Sequence, residues 1–140
     1  MTDNHFSEHL PDAVVVTLAF PAAAEHVRLA RLVASGIASQ ARFAVDEIED
    51  LRIGVDELCS LLIQDGSYGL LTIRFELAGE ELTVLATAAH PQAAPEFAAD
   101  DLSLLILAAV TDDYSISHDS GPPGGRSTTV SLRKRRLASL

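Results

Sequence analysis

Tryptophan is absent, and aromatic residues make up only 5% of the 140-residue chain. That leaves little from which to build a base-stacking platform for nucleic acid. Cysteine occurs once, at Cys59, so no internal disulfide can form and no cysteine pair is offered to a metal. The histidines His5, His9, His26, His90 and His118 fall in no zinc-ligand spacing, and no metal site is expected. No apolar run approaches the ~18–20 residues of a membrane span, and no signal-peptide pattern opens the sequence. The expectation is a cytoplasmic protein without membrane contact. Positive charge is also scarce: ten Lys and Arg stand against 20 Asp and Glu, for a formal net charge of -10. All the acidic residues lie at or before Asp119, whereas Arg126, Arg133, Lys134, Arg135 and Arg136 supply half of the basic ones. An acidic body repels nucleic acid and suits a basic partner surface, so no direct nucleic-acid partner is expected. The run Arg133 to Arg136 reads as a solvated basic end.

What is abundant is hydrocarbon, with hydrophobic residues at 48%. A chain of this length suits one domain that buries roughly 70% of its unfolded surface. We expect that domain over residues 13–136, with a flexible polar arm at 1–12 and a short tail at 137–140. Residues 14–20 are rich in β-branched and apolar side chains and predict a strand. Pro21 suits the first turn of a helix that would run on to Gln40, and Gly36 within it suggests close packing. Val45, Ile48, Leu51, Val55, Leu58 and Leu62 recur at steps of three and four, the stripe of a second helix lying on a core. Asp46, Glu47, Glu49 and Asp50 crowd its first turns, where the helix dipole favours negative charge. Asp65-Gly66 and Gly69 end it.

Residues 70–77 and 81–88 then alternate apolar and polar around Ala78-Gly79-Glu80, which predicts a hairpin with one buried and one wetter side. A third helix over about 98–111 and strands over 114–118 and 127–133 complete the order β-α-α-β-β-α-β-β. Successive hairpins imply a mixed, mostly antiparallel sheet with every helix on its buried face: an α+β two-layer sandwich.

The segment DEIEDLRIGVDELCSLLIQ, residues 46–64, resembles the central helix of the anti-sigma factor and serine-protein kinase family of the GHKL ATPase superfamily. An acidic start leads to a short apolar run, then Glu57 and Cys59. VRLARLVASGIASQARFAVDEIED resembles the first helix and linker of that family, and GGRSTTVSLRKRR resembles its last strand. The resemblance covers residues 13–136 and implies a histidine kinase-like ATPase fold. It further implies a homodimer that holds a sigma factor of RNA polymerase inactive and is released by a STAS-type anti-anti-sigma protein. Arg31, with Arg28 beside it, aligns with the arginine that the family offers its partners; the alternative for both is a solvated helix face. Intact relatives bind ATP and magnesium and phosphorylate a serine of the antagonist.

The departures from the pattern bear on that chemistry. The family places a magnesium-binding Asn four positions after its Glu, where this sequence has Leu61, which has no oxygen for a hard cation. The family's adenine-reading Asp falls on Ala88. Asp101 and Ser103 stand where phosphate-loop glycines would lie, and a carboxylate there repels phosphate. No bound cofactor is therefore expected. Glu57 alone matches the catalytic set, as a general base toward a serine hydroxyl or simply as a carboxylate facing a groove. On a helical wheel Ile53 and Leu61 lie with Glu57 away from Val55, so these two side chains are expected to close the site with hydrocarbon.

Overall fold

The computed structural model describes residues 13–64, 68–90, 101–120 and 126–137. The expected arm at 1–12, the Asp65-Gly66 helix stop and the glycines before Arg126 lie outside these residues. Strand β1 spans Val14–Pro21, helix α1 spans Val27–Gln40 and helix α2 spans Val45–Gln64. Strands β2 (Tyr68–Ala78) and β3 (Glu81–His90) follow, then helix α3 (Leu102–Val110) and strands β4 (Asp113–Ser120) and β5 (Arg126–Arg135). The five strands form one sheet in the order β1-β2-β3-β5-β4. All four pairings are antiparallel, so among the described residues no parallel pair occurs where a mixed sheet was expected.

The hairpin pattern decides which face is covered. Leu71, Ile73, Phe75 and Leu77 on β2 meet Leu82, Val84, Ala86 and Ala88 on β3, and all eight are buried. Val130 and Leu132 extend that face on β5. Helix α2 contributes Leu51, Val55, Leu58 and Leu62, each at most 1% exposed. Each such side chain removed from water contributes ~1.5–3 kcal/mol, so this interface is a large part of the hydrophobic driving force. Helices α1 and α3 flank α2, and all three lie on this one face. The chain is thus the two-layer α+β sandwich that the element order implied.

Several local expectations fail, each to a longer-range contact. Pro21 does not open a helix: it ends β1 opposite Leu70, and a single 3-10 turn at Ala24–His26 leads into α1. Proline has no N–H to donate, so it fits the end of this edge strand as well as it would fit a helix start. Gly36 has no neighbour where a Cβ would stand; the close approach is at Gly54, whose Cβ would lie 2.9 Å from Leu132 Cδ2. There α2 presses against β5, and a side chain at this position would require the buried Leu132 to shift. Val45 is 76% exposed, because it is the first residue of α2 and precedes the turn that meets the core.

The basic run is only in part a solvated end: Arg133 and Arg135 are exposed, but three of its four side chains have acidic partners. Arg133 pairs with Asp113 at 2.8 Å and with Glu81 at 3.5 Å, and Arg136 pairs with Glu80 at 2.9 Å. Lys134 donates to Asp50 and to the Val110 carbonyl, both at 3.0 Å, and so ties β5 to α2 and α3. Glu47 is only 5% exposed and accepts from Ala44 N–H and Leu137 N–H, both at 2.6 Å. Leu137, expected to begin a tail, is therefore held against the start of α2.

Candidate functional site

Two grooves run along the outer side of the α1–α2 pair, and Arg31 stands between them. The spacing of three residues puts Arg28 and Arg31 on one face of α1. Helix α2 crosses beneath and brings Arg52 to the same place. Arg28, Arg31 and Arg52 line a groove of about 400 Å³ with Leu32 and Ser35. These are three of the five basic residues that precede Arg126, gathered on one patch of an acidic molecule. Leu32, in its lining, is 66% exposed.

The second groove, of about 410 Å³, has Arg31, Asp56, Glu57 and Ser60 as its polar lining and Val27 and Ile63 as part of its apolar floor. Arg31 Nη1 donates to Asp56 Oδ1 at 2.5 Å, with both side chains partly exposed. The arginine is therefore engaged within the chain. Its fork has further donors to offer a second carboxylate. Glu57 is half-buried beside this pair, one turn before Ser60. Asp56, Ser60 and Arg52 were not singled out in the sequence. The step from Glu57 to Ser60 was the available signal, since residues three apart share a helix face.

Cys59 lies on the neighbouring side of α2 and is fully buried. Burial pushes its thiol up to about 12 from 9.0, the Asp56 charge adds to this, and Arg31 partly opposes it. A group buried in its neutral form stabilises the fold fully below its unfolded pKa. This contribution is lost as pH rises from 9.0 towards about 12. At pH 8 roughly one thiol in ten thousand is then ionised. Iodoacetamide should consequently modify Cys59 only as fast as the protein opens, as read by mass spectrometry with and without denaturant. Complete labelling of the native protein within minutes at pH 8 would contradict this.

The positions that the family resemblance assigns to nucleotide are placed as follows. Leu61 is 0% exposed and Ala88 is 2% exposed, both within the single hydrophobic core. Asp101 is the N-cap of α3, and its carboxylate accepts from Ser103 N–H at 2.9 Å. Ser103 is buried at 7% exposure. Leu104 and Leu107 of α3 belong to the same core as Leu61. Ile53, expected to help close this region, is instead 39% exposed; only Leu61 of the two turns inward. Among the described residues no group of three or more His, Cys, Asp and Glu could hold a metal ion. No described helix is long and apolar enough to cross a membrane.

The sheet order, the helices on one face and the central α2 define the class. The sequence matches the Histidine kinase-like ATPase domain family over residues 20–134, and the chain belongs to that family. It is similar to the serine-protein kinase RsbW of Bacillus licheniformis, with 29% identity over 136 residues that cover 81% of each chain. The same kinase of Bacillus cereus is 28% identical over 126 residues, covering 76% of this chain and 79% of that protein. In structure, one chain of the SiaB-SiaC complex from Pseudomonas aeruginosa superposes with a TM-score of 0.65 at 12% identity, covering 95% of this chain and 98% of that one. The RsbU and RsbW domains of a Mycobacterium tuberculosis protein give a TM-score of 0.55 at 15% identity, covering 89% of this chain and 35% of theirs. At these identities the two structures testify to the fold alone.

Proposed function

We propose that the chain is an anti-sigma factor that acts by binding. It holds a sigma factor of RNA polymerase inactive in the cytoplasm, as a homodimer, and a STAS-type anti-anti-sigma protein releases it. The similarity to the RsbW kinases supports the partner-switching role. The observation that carries the binding-only reading is Leu61: a fully buried leucine fills the position to which the family resemblance assigns a magnesium ligand. Ala88 adds no acceptor, and the Asp101 carboxylate is occupied in capping α3. These residues do not fit ATP and magnesium, and no phosphoryl transfer is derived from them. Mg-ATP should bind with a dissociation constant of ~1 mM or weaker, that is with no more than ~4 kcal/mol. Micromolar, magnesium-dependent binding in a calorimeter would refute it.

On this reading Arg31 and Arg28 make the partner contact. Arginine binds a carboxylate through two parallel hydrogen bonds and is enriched among interface anchors. The test is capture of the source organism's sigma factors and STAS-domain proteins by wild type, Arg31→Ala and Glu57→Ala. Capture should need no ATP, should survive Glu57→Ala, and should weaken by ~2 kcal/mol or more with Arg31→Ala. The melting temperature should barely move, because a partly exposed ion pair such as Arg31–Asp56 contributes at most ~1 kcal/mol. The second reading is a serine kinase that phosphorylates its antagonist. It is favoured by Glu57, which faces the open groove where a general base could work. Capture that requires both ATP and Glu57 would establish it, and capture of nothing would remove both.

A further inference from the structure

We propose that Asp56 is an internal competitor for Arg31: its carboxylate occupies the guanidinium that a partner's carboxylate takes, and so keeps the complex weak enough to exchange. The proposal rests on the partner reading of Arg31 above and assigns that contact its regulation.

Among the described residues Arg31 is the side chain common to both grooves. On one side it stands with Arg28 and Arg52, on the other with Asp56, Glu57 and Ser60. Asp56 reaches it from α2, 25 positions further along the chain, and the pair joins the two helices where the grooves meet. The two side chains are 33% and 42% exposed, so a second carboxylate can reach this guanidinium from solvent. Pairs this exposed hold weakly, and exchanging one carboxylate for another costs little.

The neighbouring arginines set the scale of what Asp56 withholds. Arg28 makes no ion pair among the described residues, and Arg52 pairs with Glu49 at 3.3 Å on its own helix. Arg28, Arg31 and Arg52 against Glu49 and Asp56 are three positive and two negative charges, which leave +1 in a chain whose total is -10. The patch attracts an acidic partner surface, yet the cation shared by both grooves is already claimed.

Two carboxylates on one guanidinium repel each other. When a partner's carboxylate sits on Arg31, Asp56 either gives way or stays as a like charge inside the contact, and each lowers affinity. The loss falls on the lifetime of the complex, because Asp56 recaptures Arg31 as the partner's carboxylate leaves. Affinity differences at one interface lie mostly in the dissociation rate. A protein that gives up one partner for another depends on that rate. An Asp56 that only oriented the arginine would act the other way: it would fix the fork for the partner, and its loss would weaken binding.

The experiment is interferometry of the full chain against the sigma factor that wild type captures in the test above. Asp56→Asn keeps the shape and a hydrogen-bond acceptor but not the charge; Asp56→Ala keeps neither. Both should melt as wild type does and bind roughly fivefold more tightly or better, chiefly through slower dissociation. The gain should vanish in the Arg31→Ala background, which locates the effect on this arginine. Glu49→Gln removes an equal charge from the same patch without touching Arg31 and should gain clearly less. Phenylglyoxal labelling needs no partner. With Arg28 as internal reference, Arg31 should be modified several-fold faster in Asp56→Ala than in wild type, as read by mass spectrometry. Unchanged binding by the Asp56 variants, or weaker binding by Asp56→Ala, would overturn the proposal and leave the partner reading standing. So would a gain that persists without Arg31 or that Glu49→Gln matches, since general attraction alone explains it. Equal labelling of Arg31 with and without Asp56 would end the proposal whether or not a partner is captured. Capture of no sigma factor would end both.

Discussion

Replacing Leu61 with asparagine should destabilise the protein by ~2–4 kcal/mol and should not confer Mg-ATP binding. The substitution puts in the side chain that the family resemblance expects at this position, so the intuitive expectation is a gain. The structure argues for a loss. Leu61 has no exposed surface and belongs to the same core as Leu104 and Leu107 of α3. An asparagine there gives up the transfer energy of a leucine side chain and buries an amide with nothing to bond. In thermal unfolding this corresponds to a fall of roughly 10 °C. Leu61→Met, which keeps the volume and adds no hydrogen-bonding demand, should lie within ~1.5 kcal/mol of wild type. Restored nucleotide binding needs more than one oxygen, because Ala88 still offers no acceptor and Asp101 still caps α3. An unchanged melt for Leu61→Asn would mean that this position is open to solvent. Tight Mg-ATP binding by the variant would mean that Leu61 alone had closed the site.

The parts of the fold legible in the sequence were those in which one face of an element meets the core. The alternation from Leu71 to Ala88 gave the hairpin and its buried face. The three-and-four stripe gave α2, because a helix on a sheet turns that line of side chains to the core: Leu51, Val55, Leu58 and Leu62 are buried and Ile48 is partly so. What could not be read was decided by partners far along the chain. Lys134 meets Asp50 across 84 positions, and Arg136 meets Glu80 across 56. A local window sees only four cations at a terminus. The glycines tell the same story. Gly36 and Gly54 are equally plausible contact points on a helix, and only the arrival of Leu132 from β5 separates them. The candidate site was half legible. The three-residue spacing placed Arg28 and Arg31 together, but Asp56 and Arg52 reach them from a second helix, and the intramolecular claim on Arg31 followed from that crossing.

Glu47→Ala should cost ~3 kcal/mol, the largest effect expected of any single charged residue described here. The acidic start of α2 invites a dipole argument worth ~0.3–1 kcal/mol for each exposed carboxylate. Glu47 does more than that because it is buried and uses both oxygens. Oε1 reaches back to the Ala44 N–H, the reciprocal half of a capping box, and satisfies a donor that the first turn cannot. Oε2 takes the Leu137 N–H and fastens the chain just after β5 to the helix start. Lys134 makes a second tie one turn further along α2, to Asp50. Alanine removes both charge-assisted bonds together. Ala44 and Leu137 are themselves exposed, so water can reach the freed amides and keeps the loss from growing larger. Glu47→Gln should lie between the two, since its amide oxygen can serve one N–H while its NH2 group faces the other. Denaturant unfolding gives the stability, and hydrogen exchange gives the location: the amides of Ala44 and Leu137 should lose protection while those of the β2–β3 hairpin keep theirs at the level set by the lower global stability. Wild-type stability with both amides still protected would show that the carboxylate holds neither end.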